Sequence, residues 1–379
     1  MSAGVGKSPF SKLETLSAPH IRPARFEDYD DIAHLASAHS LKTLPQDDWR
    51  SMWLDNPLWP RLGNDWQIGW VLETTTSEIV GSVLNVPSLY RFRGRELICG
   101  NGRSWATASE YRGYALWLME EYFNQPGVDL FINTTVGPMA ARLIDRLSAR
   151  IPQGDWATGS TWVTGYVEFA RQRLRLRHVP LADLLAYPAG GVLWLKHAIR
   201  KKPLPNFPRA VFVESAECFD SRFDAFWDEL VRQNPDKLMG ERNCRALSWH
   251  FAIPMRTSRL WILTASRNRQ LRAYCILVRT GDGRQVDFVD YQTIEPDIDF
   301  LPGLLHAALR RCAKEGVYIL RNLGRGVPKM RVLDDCAPYR NELSNWRFFY
   351  RAADPDLDAE LRAARFWDPS VYDGDASFK

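Results

Sequence analysis

Between residues 67 and 108, apolar runs and turn residues alternate so closely that the chain has room only for an antiparallel meander. Residues 67–73 and 78–86 flank Thr74-Thr75-Thr76-Ser77, a hairpin signature. Arg93-Gly94 marks a glycine turn between two further strands within 90–98. The second of these runs on through Trp105-Ala106-Thr107-Ala108 before Tyr111-Arg112-Gly113 opens a helix. Ahead of the meander, Ile21-Arg22-Pro23-Ala24 reads as a strand, and the acids at 28–31 precede apolar residues at helical spacing. Trp49 and Trp53 lie on a second helical stretch that Asn56-Pro57 ends. After the meander come a short buried strand at 128–134, a helix entered through Pro138, and an alternating stretch at 156–169 read as a final strand pair.

From residue 210 the order repeats. A strand (210–214) and two helices (219–232 and around 245–251) lead into strands at 259–265 and 271–278. The turn Gly281-Asp282-Gly283 then connects to a strand at 285–293, a helix at 301–315, a strand at 317–322, a helix at 329–336 and a closing strand at 347–351. No residue-level identity accompanies the repeat, so it is a repetition of element order. The 379 residues, 45% of them hydrophobic and including 15 Trp and 18 Phe, supply apolar surface for two cores and exclude fibrous or low-complexity architectures.

A net charge of +4 argues against a dedicated nucleic-acid binder. The six cysteines are scattered without a CxxC pair, which points to a reducing cytoplasmic setting and away from a disulfide framework or a metal site. No stretch is apolar for long enough to span a membrane, and residues 1–20 read as a flexible lead-in without a signal-like core. Residues 171–208 break the rhythm: Arg171, Arg173, Arg175 and Arg177 alternate, and five prolines follow. The segment is expected to be a basic connection whose arginines form the wet face of an edge strand, with contact to nucleic acid or an anionic lipid surface as the lesser alternative. Residues 354–379 are expected to be a mostly solvated tail, docked through Trp367 and Tyr372.

This order resembles the GCN5-related N-acetyltransferase (GNAT) fold, in a tandem-domain or FemAB-like form. Ile21-Arg22-Pro23-Ala24 with Asp28 is similar to the opening strand and helix of that family, Ile79-Val80-Gly81 to its second hairpin, and Glu110-Tyr111-Arg112-Gly113-Tyr114-Ala115 to the turn that holds the donor's pyrophosphate. Ala115 and Trp117 stand where the family pattern has small residues, mostly glycine. The resemblance implies an α/β protein, an α+β mixed-sheet form of two tandem GNAT-like domains, each a central, mostly antiparallel sheet flanked by helices. The first domain, 21–170, would hold the acyl donor, and the second, degenerate domain would span 209–353. It also implies acyl-CoA or acetyl-CoA as co-substrate, bound by Arg112, Gly113, Tyr114, Ala115 and Asn133, with an acyl-carrier protein as another carrier. No metal is expected. The acceptor would be an amine on an amino sugar, amino acid or peptide. A Fem-like aminoacyl-tRNA-dependent transferase and a non-catalytic GNAT-like scaffold are the alternatives, and the oligomeric state stays open.

Acyl transfer from a thioester to an amine requires an unprotonated nucleophile, a donor to the oxyanion and a proton for the leaving thiolate. The sequence has no nucleophile elbow, phosphate loop, HExxH helix or dinucleotide turn. Candidate acid–base residues are Asp290, His250, Glu110 and Tyr111, with Glu73 as a further carboxylate. Asp290 ends an apolar strand, where burial raises a carboxylate's pKa, and His250 lies between Trp249 and Phe251. Each also has a plain structural role open to it: a hydrogen-bonded strand end for Asp290, a packed ring for His250, a cap for Asn133.

Overall fold

A computed structural model describes residues 18–200, 211–280, 283–294, 297–343 and 347–378. Most of the flexible lead-in, part of the basic connection and the first two residues of the Gly281-Asp282-Gly283 turn lie outside them. The described chain forms two compact units. One holds the residues up to Arg50 with Asn64–Asn85 and Arg103–Gln125, and the other holds Ser51–Gly63, Val86–Gly102 and the residues from Pro126 onward.

The first half of the chain runs β1 (His20–Pro23), α1 (Tyr29–Ala38), α2 (Gln46–Leu54), α3 (Trp59–Leu62), β2 (Gly69–Glu73), β3 (Ile79–Phe92) and β4 (Arg95–Thr107). A 3-10 turn (Ser109–Tyr114) leads into α4 (Ala115–Phe123), β5 (Leu130–Asn133), α5 (Pro138–Ile144), β6 (Ala149–Arg150) and β7 (Asp155–Val163). The meander is present, but with three strands instead of four: the stretch 78–86 and the strand expected just before Arg93 are one continuous strand, β3. β1 pairs with β2 and β2 with β3, all antiparallel. Arg93 and Gly94 both have positive φ, +50° and +73°, the conformation a two-residue turn needs to match the twist of β3 and β4. In the first unit Arg22 locks β1 to its neighbours, donating to Asp28 at 2.8 Å and to Glu73 at 3.0 Å.

Two helices follow, α6 (Tyr166–Leu176) and α7 (Ala182–Arg200). The arginines at 171–175 are therefore on a helix, not an edge strand, and residues 166–169 start that helix instead of completing a strand pair. Helical spacing explains the pattern: Arg171 and Arg175 lie one turn apart, and both reach Asp183, at 3.3 and 2.6 Å.

The second half runs β8 (Phe212–Ala216), α8 (Ser221–Gln233), β9 (Met239–Gly240), α9 (Cys244–His250), α10 (Ala252–Arg256), β10 (Leu260–Arg267), β11 (Gln270–Thr280) and β12 (Gln285–Thr293). Then come α11 (Asp297–Lys314), β13 (Ile319–Arg325), α12 (Arg331–Cys336), β14 (Tyr339–Glu342), β15 (Phe349–Ala352) and α13 (Pro355–Leu361). The protein is a mixed α/β fold with two mixed, mostly antiparallel sheets flanked by helices. Strands β8, β10, β11 and β12 form an antiparallel series, β13 joins β12 in parallel, and β7 lies between β13 and β14. In return β15 lies between β5 and β6. The second sheet thus takes β7 from the first half of the sequence, and the first takes β15 and, against β3, the short β9 from the second half.

Residues 366–378 are not a solvated tail. Except for the half-buried Asp368 they are buried, with Trp367 3% and Ala376 1% exposed. The second unit packs around rings such as Trp156 and Phe348, stacked at 3.8 Å between centroids. Gly324 fits against this pair only because it lacks a side chain: a Cβ there would sit 2.2 Å from the Trp156 ring, and its φ is +77°. Gly316 also has positive φ, +68°, but faces open space. Gly324→Ala should therefore cost roughly 2–5 kcal/mol of stability, combining strain and overpacking, and Gly316→Ala only about 1–2. Denaturant titrations of both variants check the difference, and equal costs would contradict the packing.

Candidate active site

The chemistry-bearing residues fall into two sets, one in each unit. In the first unit, the last residues of β4 lead into the Ser109–Tyr114 turn and α4. The register of β4 with β5 covers Cys99, Gly100 and Asn101, whereas β4 itself continues to Thr107. Trp105 Nε1 and Thr107 Oγ1 on that continuation are buried and have no hydrogen-bond partner among the described residues. Buried polar atoms are normally satisfied, so this stretch has unmet hydrogen-bonding capacity.

Arg112 is exposed, and its guanidinium donates to Ser109 Oγ at 3.2 Å. Glu110 and Gly113 are exposed, whereas Tyr111, Tyr114 and Ala115 are half-buried. The Tyr111 amide donates to the Ala108 carbonyl, and the Ala115 amide to the Arg112 carbonyl. Those two amides are used inside the turn, which leaves the amides of Ser109 and Glu110 as the first-turn donors without an internal acceptor. Trp117 is 53% exposed and packs edge-on against Tyr114 at 5.0 Å. The indole therefore extends an aromatic stripe with Tyr111 and Tyr114.

In the second unit, Asn133 ends β5. It does not cap the next helix, since α5 starts at Pro138 with Gly137 as its N-cap. Its Nδ2 is buried with no partner among the described residues.

Asp290 is completely buried inside a closed ion-pair network. Arg242 Nε donates to it at 2.9 Å, the Tyr274 hydroxyl at 3.0 Å and the Ser370 hydroxyl at 2.7 Å. Arg242 also pairs with Asp373 at 3.2 Å, and Tyr90 donates to Asp373 at 3.0 Å. Burial pushes the Asp290 carboxyl up, but the Arg242 charge and the donated hydrogen bonds outweigh it and hold the group below the ordinary carboxylate range. This is the opposite of the raised pKa expected from its place in an apolar strand. Arg242 in turn is held above its usual value by the two carboxylates, which overcome its own burial.

His250 is buried too, with Nε2 hydrogen-bonded to Ser377 Oγ at 2.6 Å and its ring 4.4 Å from Tyr372 and 4.2 Å from Phe378. Burial lowers its pKa to about 3, so the imidazole is neutral at ordinary pH. It lines a cavity of about 30 Å³ together with Tyr90, Asn101, Glu241, Tyr372 and Phe378. That is the volume of roughly one water molecule or one amino group.

Glu241 was not singled out from the sequence. It follows the two-residue strand β9, its backbone amide donates to the Leu89 carbonyl at 2.8 Å, and its own carbonyl accepts from the Tyr372 hydroxyl at 2.6 Å. Burial pushes its carboxyl above the ordinary range, and the nearby Arg91 opposes this without cancelling it. It is the acid among the cavity's lining residues, and its environment is that expected of a proton acceptor. The available sequence signal, one acid after Met239-Gly240, is shared with many surface loops.

Cys99, Cys275 and Cys312 are buried, and burial pushes each thiol up, the reverse of an activated nucleophile.

The His250 shift has a pH consequence. The folded imidazole protonates near 3, whereas an unfolded one does so near its ordinary 6.5, so the unfolded chain binds the extra proton between those values. Stability is full above about pH 6.5 and falls as pH drops towards about 3, with a slope approaching about 1.4 kcal/mol per pH unit. His250→Phe should remove this contribution between about pH 6 and 5, where ordinary carboxylates titrate little. Urea titrations across that range check it, and an unchanged slope would place His250 in water.

No protein-family model matches the chain, and no curated protein matches it at a significant level. Solved structures do match. A conserved protein of unknown function from Enterococcus faecalis, described as a probable N-acyltransferase, aligns with a TM-score of 0.54 and 13% identity, over 88% of this chain and 72% of its own. Saccharomyces cerevisiae N-myristoyltransferase with bound myristoyl-CoA aligns with a TM-score of 0.52 and 11% identity, over 97% and 87%. A GCN5-related N-acetyltransferase from Kribbella flavida aligns with a TM-score of 0.51 and 10% identity, over 90% and 73%. Over most of its length, the chain has the GNAT fold shared by GCN5-related N-acetyltransferases and N-myristoyltransferases.

Proposed function

We propose that this protein is an N-acyltransferase that moves an acyl group from acyl-CoA to an amine by direct attack on the thioester. The observation that carries the reading is the continuation of β4 past its register with β5, with Trp105 Nε1 and Thr107 Oγ1 buried and without a partner among the described residues, in a fold shared with a myristoyl-CoA-bound enzyme. The pantetheine arm of the donor would lie along Arg103–Thr107 as an added strand. Arg112 and the amides of Ser109 and Glu110 would take the pyrophosphate, and Tyr111, Tyr114 and Trp117 offer flat surface to the adenine. The tandem division into 21–170 and 209–353 belongs to the same proposal, as does an amino acid, peptide or amino sugar as acceptor.

For the chemistry, Glu241 is proposed as the base that accepts the proton of the attacking amine, in place of Asp290, whose acceptor oxygens are already held by Arg242, Tyr274 and Ser370. The cavity beside Glu241 suits the terminal amino group of an acceptor and not a whole molecule. Neutral His250 and the Tyr372 ring would shape its wall. The amine forms a bond to the acyl carbon, the thioester C–S bond breaks, and coenzyme A leaves as thiolate to be protonated.

Calorimetric titration with acetyl-CoA and myristoyl-CoA, together with thiol release in the presence of amine acceptors, tests this. Arg112→Glu should weaken acyl-CoA binding roughly tenfold or more, the loss expected for one charge-assisted hydrogen bond to phosphate, with the fold unchanged. Glu241→Gln should lower turnover by roughly 100-fold or more while leaving donor binding intact. Asp290→Asn should act first on stability. Normal turnover in Glu241→Gln would remove it as base. Binding of aminoacyl-tRNA but not acyl-CoA would favour the Fem-like alternative, and binding of neither the scaffold.

A further inference from the structure

The helical hairpin of α6 and α7 has an open face for which the acyl-transfer reading has no use. Of the 13 large hydrophobic residues that are exposed among the described ones, nine lie between Leu176 and Ile199. Leu184, Tyr187, Val192, Trp194, Leu195 and Ile199 are each 54–78% exposed. At about 100° per residue these six, together with Leu185, Pro188, Gly191 and Ala198, cover about half the circumference of α7 without a single charge. The opposite side is packed on α6. A Cβ at Gly190 would meet the Val167 backbone at 2.9 Å, and His197 is hydrogen-bonded to the Tyr166 hydroxyl. One half of a helix is thus held and the other half, all apolar, is bare. That exceeds the scattered exposed hydrophobics normal on a protein surface.

Charge decides what covers it. Between residues 166 and 200 there are six Arg and Lys against two acids, a net +4 that equals the formal charge of the whole chain. The rest of the protein is neutral in sum. By helical position Lys196 borders the apolar arc on one side and Asp183 on the other, the latter bound by Arg171 and Arg175. Arg173 and Arg177 are exposed on the first helix and the turn after it. Beside the hairpin, an open groove of about 830 Å³ is lined by Arg171, Arg175, His178 and Arg284 together with the acids Glu168 and Asp183. A second copy of the chain would bring the same positive hairpin against this one, which is repulsive. Nucleic acid would meet an uncharged apolar centre where it needs cations. A bilayer with acidic headgroups satisfies both features, because the apolar arc enters the headgroup boundary while cations at its margin meet phosphate. Trp194 and Tyr187 carry the amphipathic rings favoured at that depth. The 19-residue α7 is about 28 Å long, and no described helix is long and apolar enough to cross a membrane, so it would lie in the surface plane.

We propose that the α6–α7 hairpin docks the protein on an anionic phospholipid surface through the open face of α7.

Co-sedimentation of the full chain with phosphatidylcholine vesicles, with and without phosphatidylglycerol, tests this. Wild type should bind the phosphatidylglycerol vesicles at least roughly tenfold more tightly than neutral ones and lose that preference in high salt. A Val192→Glu, Leu195→Glu double variant should lose vesicle binding while keeping its circular dichroism spectrum and its acyl-CoA affinity. Arg173→Glu with Arg177→Glu should lose the phosphatidylglycerol preference but keep the weak binding to neutral vesicles. Absence of wild-type binding overturns the proposal. So does a dimer in sedimentation velocity that the Val192→Glu, Leu195→Glu variant abolishes, which would assign the face to a second copy, or RNA that displaces the vesicles from the hairpin.

Discussion

Arg242 is the side chain on which the second unit depends. It is 1% exposed, and it draws a carboxylate from β12 and another from the segment after α13 to one guanidinium. Three ionised groups in a low-dielectric interior are tolerable only because nearly every hydrogen-bonding position is used: Tyr274, Ser370, Tyr90 and the Gly240 carbonyl complete the set. Tyr372 closes it, with its ring 4.4 Å from the guanidinium carbon. The network fixes the strand-to-helix connection at Gly240–Asn243 against β12, and through that connection it sets the position of Glu241 at the cavity.

Separation of roles follows from this arrangement. The β4 continuation and the turn at Ser109–Tyr114 present backbone edge, one guanidinium and aromatic faces, which suit a long, phosphorylated carrier. The cavity presents a carboxyl, a neutral imidazole and a phenol ring in a space the size of an amino group. In the proposed reaction one set binds and the other handles a proton, while burial pushes the Cys99 and Cys275 thiols away from the reactive thiolate form.

What the sequence made legible was local. The hairpins between 67 and 98 could be read because turn chemistry is decided by adjacent residues, as at Arg93-Gly94. The helix entered at Pro138 could be read for the same reason. Exchange of β7 and β15 between sheets was hidden, because their partners lie far along the chain and nothing in a strand's own pattern names its neighbour. Asp290 was read at the end of an apolar strand and lies inside it, with β12 running on to Thr293, and the sign of its shift depends on Arg242, 48 residues away. The arginines at 171–177 alternate like an edge strand, and only the acid at 183, brought back by a helical turn, shows why they alternate on a helix. The acids at 368–375 looked like solvent-seeking residues because the cation and hydroxyls that receive two of them are supplied by Arg242, Thr134 and Thr135.

That last segment carries a consequence for biosynthesis. Asp375 is tied to Thr134 at 2.8 Å, Gly374 leaves no room for a Cβ against the same threonine, and Asp373 completes the charge balance of Arg242. Residues near position 134 are thus waiting for partners that leave the ribosome some 240 residues later. The second unit cannot complete its fold vectorially from its N-terminal side, and until translation has passed position 373 its central guanidinium lacks one of its two counter-ions.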